Sequence, residues 1–221
     1  MLQFLQDLDA QILLFINSLH VPYFDRFMWL ATTTVCWSIM FIVLLYVLGR
    51  RGWKQLLAVV VAIALVILIA DLVSASVIKP LVARLRPTHD PDLSYMVHVV
   101  NGYRGGRFSF VSSHAANTFA GALLISLVFR NRRVGISIFL WAFIECYSRM
   151  YLGVHFLGDL ICGALLGCAS AWLVYALLHR YWPLFHSTCK ELRSSEADAR
   201  WVSAGMWINL AVLAIIAIFE F

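Results

Sequence analysis

No charged side chain interrupts the 23 residues from Phe27 to Gly49. A bilayer with a hydrocarbon core of about 30 Å needs about 20 largely apolar residues for each helix that crosses it, with a tolerated range of about 17–25. Similar runs recur along the chain. Leu56–Ile78 is apolar except for Asp71, Ala115–Phe129 is uncharged with His114 at its mouth, and Val134–Ser148 is broken only by Glu145. Leu160–Leu178 and Trp201–Phe219 carry no charge at all. Of the 221 residues, 62% are hydrophobic and 13% charged, against roughly 25% charged in a soluble domain. A soluble core would leave far too much of this apolar surface in water. The expected fold is all-α: a polytopic transmembrane helix bundle of six spans, one domain over residues 1–221. The first twenty residues, with Asp7 and Asp9 among Leu, Ile and Phe, predict an amphipathic helix lying at the membrane interface.

The five cysteines are odd in number, four lie inside apolar runs, and no pair has metal-ligand spacing. Neither a disulfide framework nor a zinc site is expected, and helix packing is the reading for them. A net charge of +5 raises nucleic acid as a partner, but the basic residues sit in short connections between apolar runs, where membrane orientation explains them. No nucleic-acid binding is expected. The opening segment lacks a basic stretch and a small-residue cleavage site, so no cleaved signal peptide is expected.

If the spans alternate, the side holding Arg50–Lys54 and Arg130–Arg133 receives ten of the 17 basic residues and the opposite side seven. The excess marks the first side as cytoplasmic. Six crossings then leave both Met1 and Phe221 outside. The outer side also receives the one long connection, from Lys79 to about Ser113, with three of the five prolines and the Gly-rich stretch NGYRGGR. Long loops in compact proteins are usually functional or disordered. Here the cations on the outer side call for a reason.

Three segments fall on that outer face: Lys79-Pro-Leu-Val-Ala-Arg-Leu-Arg86-Pro87, then Phe110-Val-Ser112-Ser113-His114, then Ser148-Arg149 through His155 to Asp159. Lys79, Arg86 and Arg149, with no metal-ligand cluster beside them, suit a dianion such as phosphate: arginine grips its oxygens bidentately and lysine adds a point charge. Backbone N–H groups where a helix begins, as at Ser112–His114, add donors for an anion. One histidine can attack phosphorus while the other protonates the leaving oxygen. His155 and Asp159 are four residues apart and share a helix face, so the carboxylate can hold one ring nitrogen and free the other, as in a catalytic triad.

These residues resemble the type 2 phosphatidic acid phosphatases, membrane lipid phosphatases related to the vanadium haloperoxidases. Their signature is K-x6-RP, then PSGH, then SR-x5-H-x3-D. Lys79 with Arg86-Pro87 matches the first part, and Ser148-Arg149, His155 and Asp159 match the third in full. The second part departs: Val111-Ser112-Ser113-His114 has valine for proline and serine for glycine. The resemblance covers about Lys79 to Asp159. It implies that His155 is the nucleophile of a phosphohistidine intermediate, oriented by Asp159. His114 would be the general acid and then the base that activates water, while Lys79, Arg86, Ser112, Ser113 and Arg149 bind phosphate. No metal or other cofactor is implied. The partners are a membrane lipid phosphate and the bilayer itself, and the location is a bacterial inner membrane with the site facing the periplasm. Undecaprenyl pyrophosphate is the favoured substrate; lipid A phosphates, phosphatidylglycerol phosphate and phosphatidic acid are the alternatives. Headgroup selectivity is expected in the loop Thr88–Arg107.

Other readings compete at single positions. Asp71 and Glu145 lie inside spans, where an ionisable residue is costly; Asp71 suits a contact near the site as well as helix packing, and Glu145 is read as helix packing. His20, His89, His98, His179 and His186 lack motif context and read as interfacial, with His89 a candidate for substrate contact because it follows Arg86-Pro87. Gly163-Ala-Leu-Leu-Gly167 reads as close packing inside the bundle. Trp29, Trp53, Trp182 and Trp201 mark span ends as an aromatic belt. A soluble haloperoxidase does not fit the composition. A transporter or scaffold would put paired charges near the midplane, whereas these charges sit at span ends.

Overall fold

The computed structural model describes residues 2–219, so Met1 and Phe221, the ends expected outside, lie outside the described residues. Among the described residues ten α-helices follow in chain order: α1 (Leu2–Ser18), α2 (Pro22–Ala31), α3 (Ser38–Gly49), α4 (Trp53–Asp71), α5 (Lys79–Val82), α6 (Ser113–Phe129), α7 (Arg132–Tyr151), α8 (Leu157–Tyr181), α9 (Pro183–Arg193) and α10 (Glu196–Phe219). The expected all-α bundle is what forms. Its outer surface is apolar, with Ile42, Leu165, Trp172 and Phe219 more than half exposed, as suits a chain whose surrounding solvent is lipid.

All six apolar runs fall on helix, but they are not equivalent. Among the described residues, Trp53–Val82, Leu157–Tyr181 and Glu196–Phe219 are long and apolar enough to cross a membrane. The run Phe27–Gly49 was expected as one span and instead breaks at Thr32–Thr33, where Pro22–Ala31 meets Thr34–Gly49 at 79°. Thr33 turns its hydroxyl back onto the Trp29 carbonyl at 2.9 Å, and the Trp37 indole donates to the Ala31 carbonyl at 2.8 Å. Asn209 of α10 repairs the backbone on the far side: it donates to the Cys36 carbonyl at 2.9 Å and accepts from the Met40 N–H at 3.2 Å. A broken helix needs such partners wherever water is absent. The α6 helix is shorter, at 17 residues, and α7 carries Arg132, Arg133, Glu145 and Arg149.

Small residues let the central helices meet closely. A Cβ at Gly167 would lie 2.1 Å from the Ala116 carbonyl oxygen, and one at Gly163 2.5 Å from that of Ser112. The G-x-x-x-G pattern is therefore spent on α6–α8 packing inside the bundle, as the sequence reading has it.

The connections sort by charge. At one pole Arg51 bridges Asp198, Arg193 reaches the Leu127 carbonyl and Asn131 meets Glu196. At the other pole lie Lys79, Ser113, Arg149 and Asp159. The α4 helix widens into a π-helical stretch over Leu72–Ile78 and then meets Pro80, whose missing N–H and ring are incompatible with a regular helical ladder. The long connection is well tied: Leu85 and Phe108 pair in an antiparallel bridge, and Thr88 and Arg104 each bond the other's backbone carbonyl. The α1 helix is amphipathic as expected, with Phe4 and Phe15 outward. Its polar residues have structural tasks. Asn17, 2% exposed, donates to the carbonyls of His98 and Tyr151 and accepts from the His98 N–H.

Candidate active site

The site forms where α5, α6 and the α7–α8 turn converge. Gly153 makes that turn possible: its φ is +68°, and a Cβ there would fall 2.2 Å from Val97. The turn delivers His155, 1% exposed, two residues before α8 and next to its N-cap, Phe156. Asp159, in the first turn of α8, accepts the Phe156 N–H through Oδ2 at 2.9 Å, and the same oxygen lies 3.4 Å from His155 Nδ1. The four-residue spacing read from the sequence thus brings carboxylate and imidazole together. Oδ1 of Asp159 accepts from Arg84 at 3.1 Å, and Arg84 also bridges Asp9 of α1 at 2.9 Å with its guanidinium stacked on the Phe156 ring.

On the other side, Lys79 Nζ donates to the Val111 carbonyl at 2.6 Å and the Ser113 hydroxyl at 3.0 Å, and Ser74 donates to that same hydroxyl at 2.8 Å. Ser112 is fully buried as the N-cap of α6, its Oγ accepting the Ala115 N–H at 3.3 Å. Two residues on, His114 Nε2 sits 2.5 Å from Glu145 Oε2. Arg86 donates to the carbonyls of Phe108 and Val154, and Arg149 to the Thr32 hydroxyl at 2.6 Å and the Tyr103 hydroxyl at 2.8 Å.

Electrostatically the cluster is unbalanced. Among the described residues, Lys79, Arg86 and Arg149 pair with no carboxylate. Burial, and then Arg149 beside it, pulls the Arg86 guanidinium down to about 10, still charged at neutral pH. His155 is held well below the ordinary imidazole value, chiefly by burial and then by Arg86, Arg149, Lys79 and His114. Its ring is therefore neutral at neutral pH, as an attacking imidazole must be. Two buried arginines and a half-buried lysine around a neutral histidine can receive a compact polyanion.

Beside His114 and Glu145 opens an apolar chamber of about 500 Å³ between α3, α4, α6 and α7, walled by Phe41, Ile63, Ile125, Ile138 and Trp141.

Residues 55–183 match the PAP2 superfamily. The chain belongs to that superfamily. The match covers more than half its length, and the three signature segments lie inside it. The chain is 46% identical over 182 residues to a lipid A 4'-phosphatase of Bacteroides thetaiotaomicron, covering 81% of each chain. To the lipid A 4'-phosphatase of Porphyromonas gingivalis it is 36% identical over 175 residues, covering 79% of this chain and 74% of that one. The fold resembles the crystal structures of Aquifex aeolicus LpxE (TM-score 0.58, 23% identity, 75% of this chain and 93% of that one) and of a PAP2-type phosphatidylglycerolphosphate phosphatase from Bacillus subtilis (TM-score 0.59, 24% identity, 81% and 88%). The PAP2 resemblance read from the motifs holds, and with it the reading of the chain as a membrane lipid phosphatase rather than a transporter or scaffold.

Other sequence expectations sort themselves by position. His89 is exposed and touches the Thr88 hydroxyl. His20 stacks on His98, which meets Asp25, and His179 faces His186. Asp71 accepts from Asn117, one turn along α6 from His114, which fits the reading of a contact near the site. Glu145, read as helix packing, instead lies against His114. Arg84 and Tyr103 were not singled out in the sequence, and Asp9 was read only as a polar residue of the amphipathic first helix. Arg84 carried one signal, as a third cation in the Lys79–Arg86 segment.

Proposed function

We propose that this chain removes a phosphate monoester from a lipid A-type glycolipid through a phosphohistidine on His155. The single observation that carries the chemistry is the set of three cations without carboxylate partners, the buried Arg86 and Arg149 and the half-buried Lys79, around a neutral histidine. In this reading Lys79, Arg86 and Arg149 neutralise the phosphoryl oxygens, with backbone N–H groups at the start of α6 and the serines Ser112 and Ser113 completing the cradle. His155 Nε2 attacks phosphorus while Asp159 holds Nδ1. His114 protonates the leaving oxygen and later takes a proton from the attacking water.

The lipid A-type substrate is supported by two relatives, 46% and 36% identical, that are lipid A 4'-phosphatases. The expectation of undecaprenyl pyrophosphate has no such support and gives way to this alternative. The apolar chamber beside His114 suits an acyl chain. Six crossings acting as one unit over residues 1–221 would put the catalytic pole in the periplasm of a bacterial inner membrane, opposite the Arg50–Lys54 and Arg130–Arg133 turns.

The test is phosphate release in detergent from a panel of lipid A bisphosphate, undecaprenyl pyrophosphate, phosphatidylglycerol phosphate and phosphatidic acid, with vanadate and EDTA as separate additions. Preference for lipid A with loss of its 4'-phosphate, blocked by vanadate, is the expected result. Preference for any other lipid on the panel overturns the substrate assignment.

A further inference from the structure

A carboxylate inside a spanning helix is expensive unless it has a partner. Glu145 of α7 is 1% exposed, its outer neighbours are the apolar walls of the chamber, and its Oε2 lies 2.5 Å from His114 Nε2. Among the described residues no lysine or arginine bridges Glu145. Its backbone carbonyl accepts the Ser148 hydroxyl at 2.6 Å, one residue before Arg149, so the same helical turn carries a phosphate-binding cation and this carboxylate.

We propose that Glu145 is a positioning residue for His114, a second carboxylate–imidazole pair facing the one made by Asp159 and His155. This rests on the phosphohistidine reading above. By holding Nε2–H, Glu145 fixes the tautomer and ring orientation and leaves Nδ1 as the nitrogen that meets the leaving oxygen. In the first half-reaction the His155 Nε2 lone pair forms the N–P bond. The P–O bond to the lipid breaks, and its oxygen departs with the electron pair and takes the proton from His114 Nδ1. In the second, neutral His114 accepts a proton at Nδ1 from water as that oxygen attacks phosphorus. The N–P bond breaks, its electrons return to His155, and phosphate leaves. His114 ends each cycle protonated, its Nε2–H on Glu145 throughout.

The discriminating readout is leaving-group dependence. An alkyl alkoxide needs its proton delivered, whereas p-nitrophenolate leaves unaided, so a defect acting through His114 shows on one and spares the other. Full-length enzyme in detergent is assayed with a lipid alkyl phosphate and with p-nitrophenyl phosphate, as wild type, Glu145→Gln, Glu145→Asp, His114→Ala and His114→Ala/Glu145→Gln. Glu145→Gln keeps size and one hydrogen bond but removes the charge. Its expected effect is a loss of about 10–100-fold in kcat on the alkyl phosphate, within the range for general acid catalysis, with little change in KM and about threefold or less on the aryl phosphate. Glu145→Asp recovers part of the loss, and the double variant is no slower than His114→Ala alone. Equal losses on both substrates, or additive losses in the double variant, overturn the proposal; an equal loss with a lowered melting temperature marks Glu145 as packing only. His155→Ala, run beside them, separates the two levels of argument: its retention of activity sinks the phosphohistidine reading itself, whereas its inactivity with an unselective Glu145→Gln sinks this inference alone.

Discussion

Arg84 donates to Asp159 at 3.1 Å while bridging Asp9 of the first helix at 2.9 Å. The carboxylate behind His155 is thus held from outside the signature motifs, and the amphipathic N-terminal helix is part of that support. Arg84→Ala is expected to lower kcat/KM by about 10–100-fold, since a hydrogen bond to a charged group contributes about 1.5–3 kcal/mol. Arg84→Lys should fall between, keeping the charge without the two-pronged fork. Steady-state assays of the two variants, with Asp9→Asn for comparison, check this; wild-type rates in Arg84→Ala would remove it from the site.

The second expectation concerns pH. His155 titrates below its ordinary value of 6.5 because burial, then the surrounding cations, disfavours the imidazolium. The His155 ring therefore stays neutral at and above pH 6.5, and if it is the nucleophile, the acid limb of kcat/KM falls below that pH. Stability follows the same sign. Below pH 6.5 the unfolded chain binds a proton that the folded chain refuses, so the fold loses stability as pH drops from 6.5 towards the folded value. At higher pH the group contributes no dependence. His155→Ala should abolish turnover and remove this component of the pH–stability profile. Phosphate release and thermal melts between pH 4 and 8 read both.

Ser113 stands where the family signature has glycine, and its hydroxyl is already occupied by Lys79 and Ser74. If only its backbone N–H serves the phosphate, Ser113→Gly keeps activity within about tenfold; a hydroxyl that binds phosphate directly would cost about 10–150-fold, from about 1.5–3 kcal/mol. Ser112→Ala should cost at least that much and also lower stability by about 1 kcal/mol, because it removes the N-cap of α6. Kinetics and melting temperatures of the two variants distinguish these outcomes. A Ser113→Gly loss as large as that of Ser112→Ala would make both hydroxyls phosphate ligands.

Gly167 has no room for a side chain. A Cβ there meets the Ala116 carbonyl oxygen and carbon and the Ala120 nitrogen, all backbone atoms within 3.0 Å. Gly167→Ala is expected to push α8 off α6 and cost about 1–3 kcal/mol, the usual range for overpacking. A lowered melting temperature in detergent, with the oligomeric state unchanged, is the observable.

Gly121 presents the opposite case: it borders the apolar chamber and a Cβ there meets nothing within 4 Å. Gly121→Leu should leave stability near wild type while lowering kcat/KM for long-acyl substrates more than for short-acyl ones. Acyl-chain series measured on both enzymes test this, and a uniform loss at all chain lengths would argue that the chamber holds no chain.

The sequence by itself determined the helices and which segments meet at the candidate site. Uncharged runs of bilayer length force backbone hydrogen bonding inside each segment, and that requirement is local. The pairing of His155 with Asp159 is also local in the chain, but the two do not share a helix face: His155 stands in the turn before α8, and Asp159 in the first turn of α8 reaches back to it. Alternating connections were enough to gather Lys79, Arg86, Ser113, His114 and Arg149 at one pole. The tertiary structure alone decided what crosses between helices. Whether Glu145 faces lipid, a neighbouring backbone or His114 depends on how α7 is rotated against α6, and hydrophobicity on all sides of α7 leaves that rotation unmarked in the sequence. The break at Thr32–Thr33 was hidden for a related reason: Asn209, 173 residues from Cys36, supplies the partners that make it tolerable. Arg84 with Asp9, and Arg149 with Tyr103, likewise join residues whose separation carries no periodic signal. Such contacts arise only once packing has fixed which helix faces meet.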